Sequence, residues 1–141
     1  MIVRVPRNDD LRKIDLQESQ KYIEPFIDYD ADLQAAGEAN QAWTFEENNE
    51  ILAIVGLEPQ WEGRAVAWTF ISQHAGKHFP MIHKVITAIM DNSGFKRIET
   101  TVDVGFKQGH RWMKMMGFEV EGLMRAYRPD GGDMFLYARI K

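Results

Sequence analysis

The sequence contains no cysteine, which excludes disulfides, thiolate metal sites and a cysteinyl acyl-enzyme intermediate. Any acyl transfer by this chain passes directly from donor to acceptor. There is no run of 18 apolar residues and no signal-peptide pattern behind Met1, so no membrane span is expected and a cytoplasmic location is. A basic stripe is missing as well: the net charge is -4 and lysine and arginine are scattered, which argues against a groove for nucleic acid. Of the four histidines, His74 and His78 are four residues apart but fall in a turn. No helical His-Glu motif completes a tetrahedral set, so no metal is expected. No internal repeat, low-complexity stretch or linker divides the chain, and its 141 residues read as a single domain, 1–141.

What is present is an ordinary hydrophobic fraction of 45% arranged in short periodic blocks. Residues 2–5 alternate as a strand closed by Pro6, and Asn8, Asp9 and Asp10 offer caps to a helix reaching about Phe26. Residues 28–40 are polar and alanine-rich, compatible with a second helix. Residues 41–46 and 51–57 read as a hairpin around the turn residues 47–50, and a loop at 58–63 leads into the next strand. The last helix, 107–116, stops at Gly117, and strands at 119–127 and 134–140 flank a Pro129-to-Asp133 turn.

The stretch from Arg64 to Phe118 is the most informative. Residues 65–71 form a nearly all-apolar strand that should sit mid-sheet. A turn with Gln73, Gly76 and Lys77 follows, then a helix opened by Pro80 with Ile82, Val85, Ile86 and Ile89 on one face. The strand at 97–102 must lie parallel to 65–71, because a strand-helix-strand unit of this length crosses over right-handedly. A strand feeding a glycine-containing turn and a helix start gathers unpaired N–H groups and the positive end of a helix dipole, which suits a phosphate. An ordinary strand-to-helix turn carries the same local signature.

This order of elements, with Gln73-x-x-Gly76 after the strand and Gly117-Phe118 after the last helix, resembles the GNAT superfamily of acetyl-CoA-dependent N-acetyltransferases. Trp61-x-Gly63-Arg64-x-x-Ala67-Trp68, Arg97-Ile98-Glu99, His110-Arg111-Trp112 and Tyr137-Ala138-Arg139 look like the short acetyltransferase-like proteins of tailed bacteriophages, some of which are internal virion proteins. The resemblance implies an α/β fold: a mixed, mainly antiparallel sheet of six or seven strands, helices on both faces, and a splayed parallel pair. It implies acetyl-CoA as cofactor and an amine acceptor as partner, in the host cytoplasm or the virion. A non-catalytic scaffold binding a host or virion protein is the alternative it admits, and an inhibitor docking through Trp43 or Trp61 is a third.

By the same resemblance, Gln73, Gly76, Lys77 and His78 correspond to the pyrophosphate loop, with His78 standing where the pattern has Gly or Ala. The pantetheine arm inserts between the strand ending Phe70-Ile71-Ser72 and the strand containing Thr101, placing the thioester carbonyl near the N–H of Phe70 or Ile71. His110 faces the phosphates. The family's tyrosine general acid falls at Met113, which cannot protonate a thiolate, so Tyr127, Tyr137 and Ser72 are the alternative donors. Glu58 and Glu62, then Glu99, are the candidate bases for the attacking ammonium. Tyr29, Glu38 and Trp43 border the implied acceptor cleft.

Overall fold

A computed structural model describes all 141 residues. Its elements are β1 (Ile2–Arg4), α1 (Asp10–Lys13), a 3-10 helix (Glu18–Phe26), α2 (Leu33–Glu38), β2 (Ala42–Glu47), β3 (Glu50–Trp61) and β4 (Arg64–Ile71). A 3-10 turn (Gly76–His78), α3 (Phe79–Asn92), β5 (Arg97–Asp103), α4 (Lys107–Met115), β6 (Glu119–Met124) and β7 (Met134–Ile140) complete the chain. Seven strands hydrogen-bond in the order β1-β2-β3-β4-β5-β7-β6. The expected mid-sheet strand is therefore the fourth of seven, and β4 and β5 are the expected parallel pair.

Local chemistry explains most of these boundaries. Asn48 and Asn49 both adopt left-handed backbone, at φ 50° and 65°, which is what a two-residue hairpin turn following the sheet's twist demands. Gly63, at φ 88°, lets the next turn close just as tightly. β3 therefore runs on to Trp61, where the sequence suggested a loop from Glu58. In α3, Ile82, Ile86 and Met90 are buried one turn apart, the core stripe that the apolar spacing requires. Gly94 and Gly117 take the positive φ of helix stops.

The largest departure lies between α1 and α2. The sequence suggests one helix from Asp10 to about Phe26, but α1 ends at Lys13 and Ile14 turns extended, at ψ 134°. Leu16 then forms an isolated antiparallel bridge with Ser72 before the 3-10 helix begins. Ile14 and Leu16 are buried while Asp15 is exposed, a period of two that overrides helical propensity. α2 also proves shorter than residues 28–40, starting where Asp32 accepts a hydrogen bond from the Ala35 N–H. β6 ends at Met124, short of Tyr127.

Two compact units divide the chain. The first comprises Met1–Glu58 and Trp68–Ile86, with Leu11, Ile14, Leu16, Leu33, Ile51 and Ile54 as a buried cluster against which Trp68 and Phe70 pack. The second comprises Pro59–Ala67 and Thr87–Lys141, and it buries Ile98, Val102, Trp112, Met113, Phe118 and Tyr137.

Candidate active site

In the first unit, β4 feeds the turn that carries Gln73 to His78. The Ser72 N–H donates to the carbonyl of Leu52 in β3 at 2.8 Å. Main-chain groups alternate sides along a strand, so Thr69, Ile71 and Gln73 present theirs at the edge of β4 facing away from β3. Ser72 also shapes the turn: its Oγ accepts from the His74 N–H at 3.0 Å, and its carbonyl from the Ala75 N–H at 3.2 Å. The Ala75 carbonyl accepts from the His78 N–H at 2.9 Å. The N–H groups of Gly76 and Lys77 are left without an acceptor in the chain, immediately ahead of α3. A methyl group added at Gly76 would meet nothing within 4 Å, so a side chain at this position has room.

The outward edge of β4 is not open. The Gln17 N–H donates to the Ile71 carbonyl at 2.8 Å, and the Gln73 N–H donates to the Asp15 carbonyl at 2.9 Å. Gln20 spans the next pair: its Nε2 donates to the Thr69 carbonyl at 2.7 Å and its Oε1 accepts from the Ile71 N–H at 2.8 Å. The Asp15 carboxylate accepts from Gln73 Nε2 at 2.6 Å and lies 2.9 Å from His74 Nε2. Hydrogen bonds from Gln73, then His74, hold that carboxyl below its ordinary pKa. Of the two N–H groups expected near a thioester carbonyl, that of Ile71 is thus engaged by Gln20, and that of Phe70 alternates to the β3 side.

These residues give a divided answer on whether the chain fits coenzyme A. Gly76, Lys77 and the start of α3 offer free donors and positive charge, which fits a pyrophosphate. The main-chain groups that an amide-bearing arm would use on β4 are satisfied by residues 15–20 of the same chain.

In the second unit the parallel ladder comprises three pairs, Arg64 with Arg97, Ala65 with Ile98 and Val66 with Glu99, and ends there. Thr100 Oγ1 then donates to the Ala67 carbonyl at 3.0 Å, a side chain acting where a ladder would continue through the backbone. Thr101 follows on β5, half-buried. Glu99, the third candidate base, is only 8% exposed. Arg64 and Arg97 clamp it and hold its carboxyl below the ordinary range, so it is a structural anion and a poor proton acceptor.

His110 lies within α4 and donates from Nε2 to the Val104 carbonyl at 2.9 Å; this partner, which only accepts, fixes the tautomer. Its Nδ1 accepts from the Tyr137 hydroxyl at 2.7 Å. Burial raises the Tyr137 pKa above its ordinary value, so the phenol keeps its proton. Met113, at the position where the resemblance places a tyrosine, is buried.

The remaining candidates lie at the surface. Glu58 is exposed on β3, Glu62 occupies the β3–β4 turn and Tyr127 is exposed beyond β6. Tyr29 packs on the first unit's core beneath the Arg12 guanidinium, a packing role. Sequence reasoning missed Asp15 and Gln20 altogether: the apolar-polar-apolar alternation at 14–16 was the one local signal of Asp15, and Gln20 had none.

No protein-family model matches the sequence, and a search of curated proteins finds no match. Solved structures do match in fold. Ard1 from Thermoplasma volcanium is similar with a TM-score of 0.78 over 99% of this chain and 96% of that chain, at 11% identity. A GNAT-family acetyltransferase from Streptococcus pneumoniae aligns with a TM-score of 0.70 over 99% and 98% of the two chains, at 14% identity. A ribosomal-protein-alanine N-acetyltransferase from Brucella melitensis aligns with a TM-score of 0.69 over the whole of both chains, at 12% identity. The fold is that of the GNAT N-acetyltransferases.

Proposed function

We propose that this protein is an acetyl-CoA-dependent N-acetyltransferase of bacteriophage type, acting on an amine in the host cytoplasm. The observation that carries this reading is the pair of unpartnered N–H groups at Gly76 and Lys77, in the turn between β4 and α3 of a chain with the GNAT fold. Bound there, acetyl-CoA would supply an acetyl group already activated as a thioester. The Gly76 and Lys77 amides, the Lys77 ammonium and the His78 ring hold its pyrophosphate, with Gln73 beside them. Phe70, Ile71 and Ser72 line the arm chiefly through their main chain.

For proton transfer, Glu58 and Glu62 are the residues proposed to take the proton of the amine. Tyr137 is a better ordered acid than the exposed Tyr127. Its hydroxyl donates a 2.7 Å hydrogen bond to His110 Nδ1; acting as the acid, it would give that proton to the leaving thiolate instead and be reprotonated from solvent. This route does not rely on Met113.

A second reading has an observation of its own. The occupied outer edge of β4 suits a scaffold that keeps the fold without turnover and serves as a virion or host-binding component. Fold alone does not separate the two, but a charge at Gly76 does. Gly76→Asp has room for its side chain and should leave the melting temperature unchanged. It should weaken acetyl-CoA binding in a calorimetric titration by at least about tenfold, through repulsion of the phosphates. Equal affinity in the variant, or no heat of binding by the native protein at millimolar acetyl-CoA, refutes the enzyme reading.

A further inference from the structure

Resting on that reading, we infer that residues 15–20 act as an internal strap that occupies the cofactor's own hydrogen-bonding positions, so that acetyl-CoA binds only by displacing them. The polar groups concerned form a contiguous row. From Thr69 to Gln73 the outer edge of β4 offers the Thr69 carbonyl, the Ile71 N–H, the Ile71 carbonyl and the Gln73 N–H, and all four are taken by Gln20, Gln17 and Asp15. The chemistry of the occupants matches the ligand class. A carboxamide that donates to one carbonyl and accepts from the N–H two residues on reproduces the donor and acceptor of a secondary amide, the group repeated along a pantetheine arm. A carboxylate lying on Gln73 Nε2 and His74 Nε2 supplies the anionic oxygen that a phosphate would.

The strap is also built to leave. The 3-10 helix that holds its second half, Glu18–Phe26, has no buried residue, and the side chains of Asp15 and His74 are each half exposed. Segments with little buried apolar surface open at low free-energy cost. Leu16, at 3% exposure, is the one deep anchor, which keeps the strap docked in the absence of ligand. Apparent affinity for the cofactor is then the intrinsic affinity multiplied by the fraction of molecules with the strap released.

Amide hydrogen exchange on the native protein, with and without saturating acetyl-CoA, tests this with no variant that has to fold. The expected result is asymmetric. The Gln17 N–H loses protection because its acceptor on Ile71 is taken by the ligand, while the Ile71 and Gln73 N–H groups stay protected. In parallel, Asp15→Asn/Gln20→Ala should bind acetyl-CoA about fivefold to thirtyfold more tightly than the native protein, since it lacks competing hydrogen bonds of ordinary strength. If acetyl-CoA binds while Gln17 keeps its protection and the double variant gains nothing, the strap is overturned and the enzyme reading stands. If neither the native protein nor the strap variant binds acetyl-CoA, both fall together.

Discussion

Replacing Asp10 by alanine should lower the unfolding free energy by about 3–5 kcal/mol, the range for removing one partner of a buried ion pair. Asp10 is 1% exposed and serves four donors. Arg4 Nη1 and Nη2 each reach it at 3.0 Å, the Arg7 N–H at 2.9 Å and Thr44 Oγ1 at 2.7 Å. Arg4 on β1 lies across from Thr44 on β2, so the carboxylate joins an edge strand, its neighbour and the start of α1. Alanine leaves the Arg7 N–H and the Thr44 hydroxyl without this acceptor, and leaves Arg4 only the Val5 carbonyl at 3.1 Å and Glu46 at 3.2 Å. Asp10→Asn, which can still accept from Arg7 and Thr44, should cost about half as much, by the smaller worth of uncharged hydrogen bonds. Urea unfolding measures both.

The same carboxylate sets a pH dependence. Burial pushes its pKa up, but the hydrogen bonds from Arg4, Arg7 and Thr44 outweigh that and leave it below the ordinary value. A depressed carboxyl contributes stability that is complete above its unfolded-state pKa and lost as pH falls through the folded one. The native protein should therefore lose stability on acidification below the usual carboxylate range. The gap between it and Asp10→Ala should shrink over the same interval, and a constant gap down to the acid limit contradicts the assignment.

Gly56→Ala should destabilise by about 3 kcal/mol, at the upper end of overpacking costs. Gly56 is buried in β3, and a methyl group there would lie 2.2 Å from Cε2 and Cζ2 of Trp68 on β4. The indole must leave its place over the first unit's core, so tryptophan emission should change together with stability. Pairing Gly56→Ala with Trp68→Leu should recover part of the loss, since the two residues compete for one volume. Gly122→Ala, where an added methyl meets nothing within 4 Å, should stay within about 0.5 kcal/mol of the native protein.

Fold class was legible in the sequence because its signals are local and periodic. Ile82, Val85, Ile86 and Ile89 mark α3, Asn48-Asn49 marks a hairpin, and the strand-helix-strand unit from Ala65 to Val102 fixes the parallel pair. The sequence signals failed where a long-range contact overrides a local preference. Asp10 has the composition of a helix cap, and only the approach of Arg4 and Thr44 turns it into a buried anion. Residues 14–17 sit in helical composition, and their extended conformation comes from the bridge between Leu16 and Ser72, which lie far apart in the chain. Gln20 carries no motif at all. Its role exists only because β4 presents the spacing of Thr69 and Ile71 to it. Tyr137 and His110 are 27 residues apart, and their pairing depends on β7 and α4 being in place.

Where acetyl-CoA lands on the chain decides whether Gly76 and Lys77 hold its pyrophosphate. Titrating uniformly 15N-labelled protein with acetyl-CoA and following each backbone amide resonance gives that location. The largest shifts are expected at Gly76, Lys77 and His78, saturating together. Saturable binding that leaves these three resonances in place, or no perturbation anywhere at millimolar acetyl-CoA, would contradict that placement.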